Sequence, residues 1–203
     1  MACRAKTTTA SRTLLLLAST SPRRRDLLAD AGLDFQIEAA QVEEYSSPEW
    51  SGRDLCLLNA EHKAREVAHR YPDHVVLGAD TIVDFEGKVY GKPRDMAEAR
   101  CMLEHLCGHT HEVLTGVCLS YHRENKICRF VESTRVKFRP LENVDLDAYL
   151  KSIHPLDKAG AYAAQEDEGR LIECIEGSMS NVIGLPVERV LAALREHFPS
   201  VTS

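Results

Sequence analysis

Apolar and polar positions alternate along the chain in blocks that predict strands followed by helices. Four leucines at 14–17 form a short apolar run typical of a buried strand. Residues 53–70 carry apolar side chains at helical spacing, and 74–85 form a longer apolar run that we expect to break at Gly78. Further strands are predicted at 35–37, 111–121, 127–138 and 170–177, and further helices at 22–31, 96–106, 142–152 and 187–197. This alternation predicts an α/β fold with a mixed sheet.

Composition and charge narrow the class of protein. The 203 residues carry a net charge of -6, which argues against general nucleic-acid binding, since that needs a basic face. No apolar run approaches the roughly 20 residues of a membrane helix, and 14–18 is too short for a signal-peptide core. The seven cysteines are odd in number and lack a Cys-x-x-Cys pair, which argues against a disulfide framework or a zinc site. We therefore expect a cytoplasmic protein without a membrane partner, and residues 1–12 as a flexible polar tail.

Three arginines occupy the first turn of the helix predicted at 22–31, in the stretch ASTSPRRRDLL. Ser21 followed by Pro22 is typical of a helix start, with a side-chain cap and then proline at the first helical position. Cations at this end oppose the helix dipole by roughly 0.3–1 kcal/mol each. A bound phosphate would offset that repulsion, with Ser19 adding a hydroxyl from the strand end. A solvated surface cluster paired with Asp26 is the alternative.

An aspartate in the apolar stretch LGADTIV is the second candidate. We expect Asp80 at the end of a buried strand, where an ionised carboxylate is costly unless it is paired or binds a cation. Ligands of α/β sheets bind at strand ends. An aspartate that caps a turn is the alternative.

Two lysines and a carboxylate pair extend this set. Lys92 lies between glycine and proline in YGKPRD, which fixes the position of a long cation. Lys63 falls at the edge of the apolar stripe of helix 53–70, where its stem can lie on the core while its ammonium reaches a cleft. Simple snorkelling is the alternative for Lys63. Glu43 and Glu44, taken alone, are a solvated loop pair.

Two further features are weaker. The stretch DKAGAYAAQ contains Asp157, Lys158 and Gln165, and the amide of Gln165 could bind a base edge. His109 and His111 alternate in a predicted strand, as a metal pair could, but no third ligand is evident nearby. We interpret the two histidines as residues of the strand surface.

The combined set favours phosphate chemistry. Two arginines and two lysines face two or three carboxylates, without a nucleophile triad, which is the inventory for phosphate chemistry assisted by a hard divalent cation. The chain has no G-x-x-x-x-G-K-[ST] sequence, so it is not a Walker-type NTPase.

Five motifs occur in the order and spacing of a known family: LASTSPRRRDLL, GADTIV, YGKPRD, LDKAGAYAAQ and NVIGLP. From about Leu14 to about Leu194 the chain resembles the Maf proteins, nucleoside triphosphate pyrophosphatases once described as septum-formation inhibitors. The resemblance implies a strongly bent mixed β-sheet flanked by helices, with two lobes and a deep central cleft, as in inosine triphosphatase-like folds. It also implies one domain over 13–203, and a homodimer, because the family is often dimeric.

The resemblance implies roles for nine residues. The residues that match the family's phosphate-holding loop are Ser19, Arg23 and Arg24. The residues that match its catalytic positions are Glu44, Lys63, Asp80 as proton acceptor, and Lys92. The residues that mark the subfamily are Arg23, Thr81 and Gln165. Thr81 and Gln165 look like the branch that cleaves dTTP and UTP, although AYAAQ has alanine where the family more often has glycine.

The implied reaction converts a nucleoside triphosphate and water into the monophosphate and pyrophosphate. We expect water to attack the α-phosphorus, with Glu44 and Asp80 holding Mg²⁺ or Mn²⁺ and Asp80 taking the proton. The four cations would neutralise phosphate charge. Two alternatives stay open: a pyrophosphatase for other nucleotides, of the CTP or 7-methyl-GTP type, and a nucleotide-binding regulator of cell division.

Overall fold

The computed structural model describes residues 13–47 and 49–201, so the tail predicted at 1–12 lies outside the described residues. The strands are β1 (Leu15–Leu17), β2 (Phe35–Ile37), β3 (Val75–Phe85), β4 (Lys88–Tyr90), β5 (Thr110–Tyr121), β6 (Lys126–Phe138) and β7 (Ile172–Glu176). The α-helices are α1 (Pro22–Asp30), α2 (Gly52–Arg70), α3 (Met96–Leu106), α4 (Leu146–Ser152), α5 (Met179–Ile183) and α6 (Val187–His197). Single 3₁₀ turns lie at Leu141–Asn143, Pro155–Asp157, Ala159–Ala161, Ala164–Glu166 and Pro199–Val201.

The strands form one mixed sheet in the order β2-β1-β3-β5-β6-β7, with β4 also paired to β3. β1 runs parallel to both β2 and β3, whereas β3, β5, β6 and β7 pair antiparallel. The predicted α/β class with a mixed sheet flanked by helices is therefore confirmed. The short helix α5 is absent from the sequence prediction, because five residues are too few to show a helical period.

The predicted break at Gly78 is wrong, since β3 runs unbroken through this residue. A Cβ atom on Gly78 would lie 2.3 Å from the carbonyl oxygen of Ala60 on α2. Gly116 on β5 has the same relation to Cys56, again at 2.3 Å. These glycines let the backbone of α2 approach the sheet closely. A glycine within an apolar run, which predicted a strand break, here allows close packing of a helix on the strand.

Side chains of β3 alternate between two differently covered faces. The first, which we call the α2 face, carries Val76 and packs against the alanine stripe of α2. The second, which we call the Thr81 face, carries two apolar cores. Leu77 belongs to the core shared with α1 and α6, and Val83 belongs to the core shared with α3 and α4. Thr81 lies between these two cores.

One edge of β3 is open at its centre. β1 pairs with β3 as far as Leu77, and β4 resumes the pairing at Val83. Among the described residues no strand covers 78–82 on this edge. A cleft opens there, so that side chains from both faces of β3 reach it.

The start of α1 differs from the prediction. Ser21 makes no side-chain capping bond, and the Ser19 hydroxyl instead accepts from the Ser21 amide at 3.2 Å. Gly32 ends the helix as predicted, with a φ of +72°. Within the described ranges, no helix combines the length and apolarity that a membrane crossing needs.

Candidate active site

A cavity of about 890 Å³ occupies the cleft at the open edge of β3. It brings together nine candidate residues singled out from the sequence: Arg23, Arg24, Glu44, Lys63, Asp80, Thr81, Lys92, Asp157 and Lys158. Ser19 lines an adjoining cavity of about 320 Å³ that shares the arginines and lysines. Residues far apart in sequence thus meet in one place, as the phosphate-chemistry interpretation requires.

Lys63 joins two carboxylates on the α2 face. Its ammonium Nζ lies 2.7 Å from Asp80 Oδ1 and 2.6 Å from Glu44 Oε1. Asp80 is 7% exposed, so its charge needs the partner it has. The predicted position of Asp80 at the end of a strand is wrong, and so is the turn-capping alternative, because β3 continues past this residue to Phe85. Snorkelling alone does not describe Lys63, since its ammonium forms ion pairs with both carboxylates.

The pKa of the Glu44 carboxyl reflects the same group. Burial opposes ionisation of Glu44, but the hydrogen bond and positive charge of Lys63, together with the charge of Lys92, hold its pKa below the usual value. Glu44 is therefore an anion at neutral pH. Lys92 itself is exposed and lines the cleft beside Glu44.

Arg24, on α1, reaches across to the Thr81 face of β3. The hydrogen-bond acceptors of its guanidinium are all neutral. Its guanidinium donates to the Gly184 carbonyl at 2.9 Å, to Thr81 Oγ1 at 3.0 Å and to Ser19 Oγ at 3.3 Å. Burial lowers the pKa of Arg24, and the nearby negative charge of Asp80 opposes that shift. Within the described residues no carboxylate forms an ion pair with Arg24. A partly buried guanidinium without an anion is a built site for one.

The other two arginines have separate roles. Arg23 reaches across the cleft to Asp157, donating to its carboxylate at 2.7 Å and to its carbonyl at 2.9 Å. Lys158, which is buried, contacts the same carboxylate at 2.9 Å. Arg25 turns outward and pairs with exposed Asp26. The surface-cluster interpretation is thus correct for one arginine of the three.

Three residues of the site were not predicted from the sequence. Asn59 touches Asp80, Thr115 contacts the Thr81 hydroxyl at 3.0 Å, and the Gly184 carbonyl accepts from both Arg24 and Thr81. Asn59 had a readable signal, because a polar residue one helical turn before Lys63 interrupts an apolar stripe. Thr115 had none, since its role depends on strand register. Gly184 lies in the motif NVIGLP, but its role depends on a backbone carbonyl, which a motif does not reveal.

Two predicted residues lie elsewhere. Gln165 is exposed on a 3₁₀ turn and lines neither cavity, so its part in base recognition stays a prediction. His111 is 2% exposed and its Nε2 lies 3.0 Å from the Tyr162 hydroxyl, so assigning it to the strand surface is wrong. Burial lowers the pKa of His111 to about 3. His109 is exposed and stacks on Phe85.

Comparison with known proteins identifies the family of this chain. The family model described as Maf-like protein matches residues 14–197. A dTTP/UTP pyrophosphatase of Bacillus cereus (strain ATCC 10987 / NRS 248) is 43% identical over 93% of this chain and 92% of its own. A dTTP/UTP pyrophosphatase of Bacillus anthracis (strain CDC 684 / NRRL 3495) is 43% identical over 93% and 97%. A solved HAM1 protein from Coxiella burnetii aligns with a TM-score of 0.44 at 16% identity, covering 91% of this chain and 99% of its own. On the family match and the identity of these relatives, the chain belongs to the Maf family.

Proposed function

We propose that the protein is a nucleoside triphosphate pyrophosphatase that hydrolyses dTTP and UTP to the monophosphate and pyrophosphate. The observation that carries this proposal is one cavity that holds both the two carboxylates bound to Lys63 and Arg24, which has no ion pair among the described residues. One side can handle a proton and the other can hold a triphosphate. The choice of substrate rests on the 43% identity to dTTP/UTP pyrophosphatases.

The phosphate chain would lie along the cationic side of the cleft. Arg24 offers donors that are held by neutral acceptors, so no ion pair must break before a phosphate oxygen binds. Arg23 would exchange Asp157 for phosphate, and Lys92, which lines the same cavity, would add a further positive charge. These cations would stabilise the charge that develops on the pyrophosphate leaving group.

The attacking water would lie beside Asp80. Its carboxylate is buried, lies 2.7 Å from the Lys63 ammonium, and lines the same cavity as the arginines. Asp80 would orient the water and accept its proton as the bond to the α-phosphorus forms. Lys63 would keep Asp80 and Glu44 from repelling each other and would face the α-phosphate.

A divalent cation, Mg²⁺ or Mn²⁺, is part of the proposal. The oxygens of Glu44 and Asp80 both lie within 2.7 Å of one nitrogen, so they are close enough to share a cation. In the described ranges no group of three histidine, cysteine or acidic side chains could hold a metal alone. The two carboxylates of Glu44 and Asp80 fit Mg²⁺, which commonly takes one or two carboxylates and completes its shell with water and substrate phosphates. When bound, the cation would acidify a water ligand and neutralise phosphate charge.

The test is pyrophosphate release from a panel of nucleoside and deoxynucleoside triphosphates, with Mg²⁺, Mn²⁺ or EDTA. We expect release from dTTP and UTP that EDTA abolishes. Release from CTP or 7-methyl-GTP instead would keep the reaction and overturn the substrate. Binding without hydrolysis of any nucleotide would favour the nucleotide-binding regulator. Release that EDTA leaves unchanged would overturn the metal requirement.

The compartment is a separate proposal. We place the protein in the cytoplasm, and this is supported by the free thiols of all six cysteines in the described part of the chain. Fractionation of the source cell with antibody detection tests it, and recovery in a secreted or membrane fraction would contradict it.

A further inference from the structure

Asn59 is a buried amide that links two parts of the proposed active site. It lies on α2 one turn before Lys63 and is 3% exposed. Its Oδ1 accepts from the Tyr45 backbone amide at 2.7 Å, and its Nδ2 donates to the Tyr45 carbonyl at 3.2 Å. Nδ2 also donates to Asp80 Oδ2 at 3.4 Å. The side-chain amide therefore uses both donors and its acceptor.

The segment that Asn59 holds has no helix or strand of its own. Between β2 and α2 the described backbone is irregular, and Glu44 lies on this loop next to Tyr45. A second anchor, from the Gln41 amide to Glu66 at 3.1 Å, is exposed. Buried hydrogen bonds compete less with water than exposed ones, so Asn59 is a strong anchor at the residue next to Glu44.

We propose that Asn59 is a positioning residue that fixes Glu44 relative to Asp80, so that both carboxylates reach Lys63. The inference rests on the proposed pyrophosphatase reaction for its catalytic consequence. Tyr45 backbone groups are held by Asn59, and the Asp80 carboxylate touches the same amide. One side chain thus sets the spacing between an acid carried by a loop and an acid carried by a strand.

The chain carries its own reporter for the loop. Trp50 is the single tryptophan, and its ring lies 5.6 Å from the Tyr45 ring in an edge-on contact. Tyr45 also stacks on His62 of α2 at 4.9 Å. A loosened loop changes both contacts, and therefore the emission of Trp50 and its quenching by acrylamide.

The experiment replaces Asn59 by leucine, which is similar in size and lacks hydrogen-bonding atoms. In Asn59→Leu we expect stronger acrylamide quenching of Trp50, together with a kcat for dTTP that is lower by roughly 10- to 100-fold, the scale of a misplaced catalytic group. KM should change by less than about threefold, because the arginines of the Thr81 face are untouched. Leu58→Asn, at the exposed neighbouring position, is the matched control and should leave both readouts unchanged.

A double-mutant cycle tests the route through Glu44. If Asn59 acts by placing Glu44, the variant Asn59→Leu/Glu44→Gln should turn over at about the rate of Glu44→Gln alone. Multiplied losses would overturn this route. Should Asn59→Leu fail to fold by circular dichroism, Asn59→Ala removes the same hydrogen-bonding atoms with a smaller side chain and no new charge, and the same expectations apply to it.

The two proposals fail in different ways. Unchanged Trp50 quenching in a folded Asn59→Leu protein would overturn the anchoring, whatever the activity. A wild-type protein that hydrolyses no nucleotide would overturn the pyrophosphatase and the catalytic half of this inference, while the quenching would still decide whether Asn59 holds the loop.

Discussion

Asp80 and Thr81 are consecutive residues of β3, yet they belong to two chemically opposite regions. On the α2 face, Asp80 shares the ammonium of Lys63 with a second carboxylate. On the Thr81 face, the hydroxyl of Thr81 helps hold Arg24, which forms no ion pair with any carboxylate in residues 13–47 and 49–201. Among these residues the first region has paired charges, whereas the second has a cation without an anion. In the proposed reaction, the ligand's charge therefore belongs to the Thr81 face and the proton transfer to the α2 face.

The largest effect on activity is expected at Asp80, on the α2 face. Asp80→Asn removes the proposed proton acceptor and should lower kcat by roughly 10²–10⁴-fold, with little change in KM, since the proposed phosphate donors remain. Steady-state pyrophosphate release measures both constants. Asp84→Asn, on the same face of β3 and outside the cleft, is the control. Near-normal kcat in Asp80→Asn would contradict the division between the two faces.

Arg24 tests the other face. Arg24→Lys keeps a charge but cannot reach three acceptors in a fork, so we expect about a 10- to 100-fold loss in kcat/KM, the scale of one hydrogen bond to a charged group. Most of that loss should be in KM. Arg25→Lys, which alters the exposed pair with Asp26, should have no effect. A loss confined to kcat would assign Arg24 to the chemical step instead.

Gly78 lies on the α2 face, and its substitution tests how closely α2 packs against this face through the free energy of unfolding. Gly78→Ala places a methyl group 2.3 Å from the Ala60 carbonyl, and overpacking of this kind costs about 1–3 kcal/mol of unfolding free energy. Urea unfolding measures the loss. Gly91 lines the cleft, and a Cβ atom added there meets nothing within 4 Å. Gly91→Ala should therefore leave the free energy of unfolding nearly unchanged. Equal stability of the two variants would show that α2 can shift away at no cost.

His111 gives the smallest effect and probes the core beneath the Thr81 face. The unfolded histidine titrates near pH 6.5, whereas burial lowers the folded pKa to about 3. Between these values the unfolded chain binds more protons, so the unfolding free energy falls as pH falls, by about 1.4 kcal/mol per unit.

Urea unfolding of the wild type and of His111→Gln at pH 7.5 and 5.5 measures this pH dependence of the unfolding free energy. Glutamine at position 111 has no titratable group. We expect the wild type to lose about 1.4 kcal/mol more than the variant between the two pH values. Other titrating groups cancel in that difference. Equal losses would show that His111 can take up a proton without unfolding.

The sequence sufficed for the parts of the site that depend on local pattern. Lys63 at the edge of an apolar stripe and arginines at a helix start are both readable from spacing, and the structure brings them together. Tertiary contacts decided the rest. Gly78 carries the signal of a strand breaker, but the approach of α2 is what requires it. His111 alternates like a surface residue, yet a helix and a loop cover that part of β5. Asn59 acquires its role only when the loop of Tyr45 folds over it.

The ladder between β3 and β5 has a consequence for how this protein can vary. It pairs ten consecutive residues, from Val75 with Tyr121 to Asp84 with Glu112, without a bulge. Because side chains alternate with a period of two, inserting or deleting one residue there would turn Asp80 toward the arginines and Thr81 toward Lys63. Length changes should therefore be tolerated in the surface loops and rejected in this ladder, even at positions far from the cleft. A scan of single-residue deletions along β3 and β5 would trace that boundary.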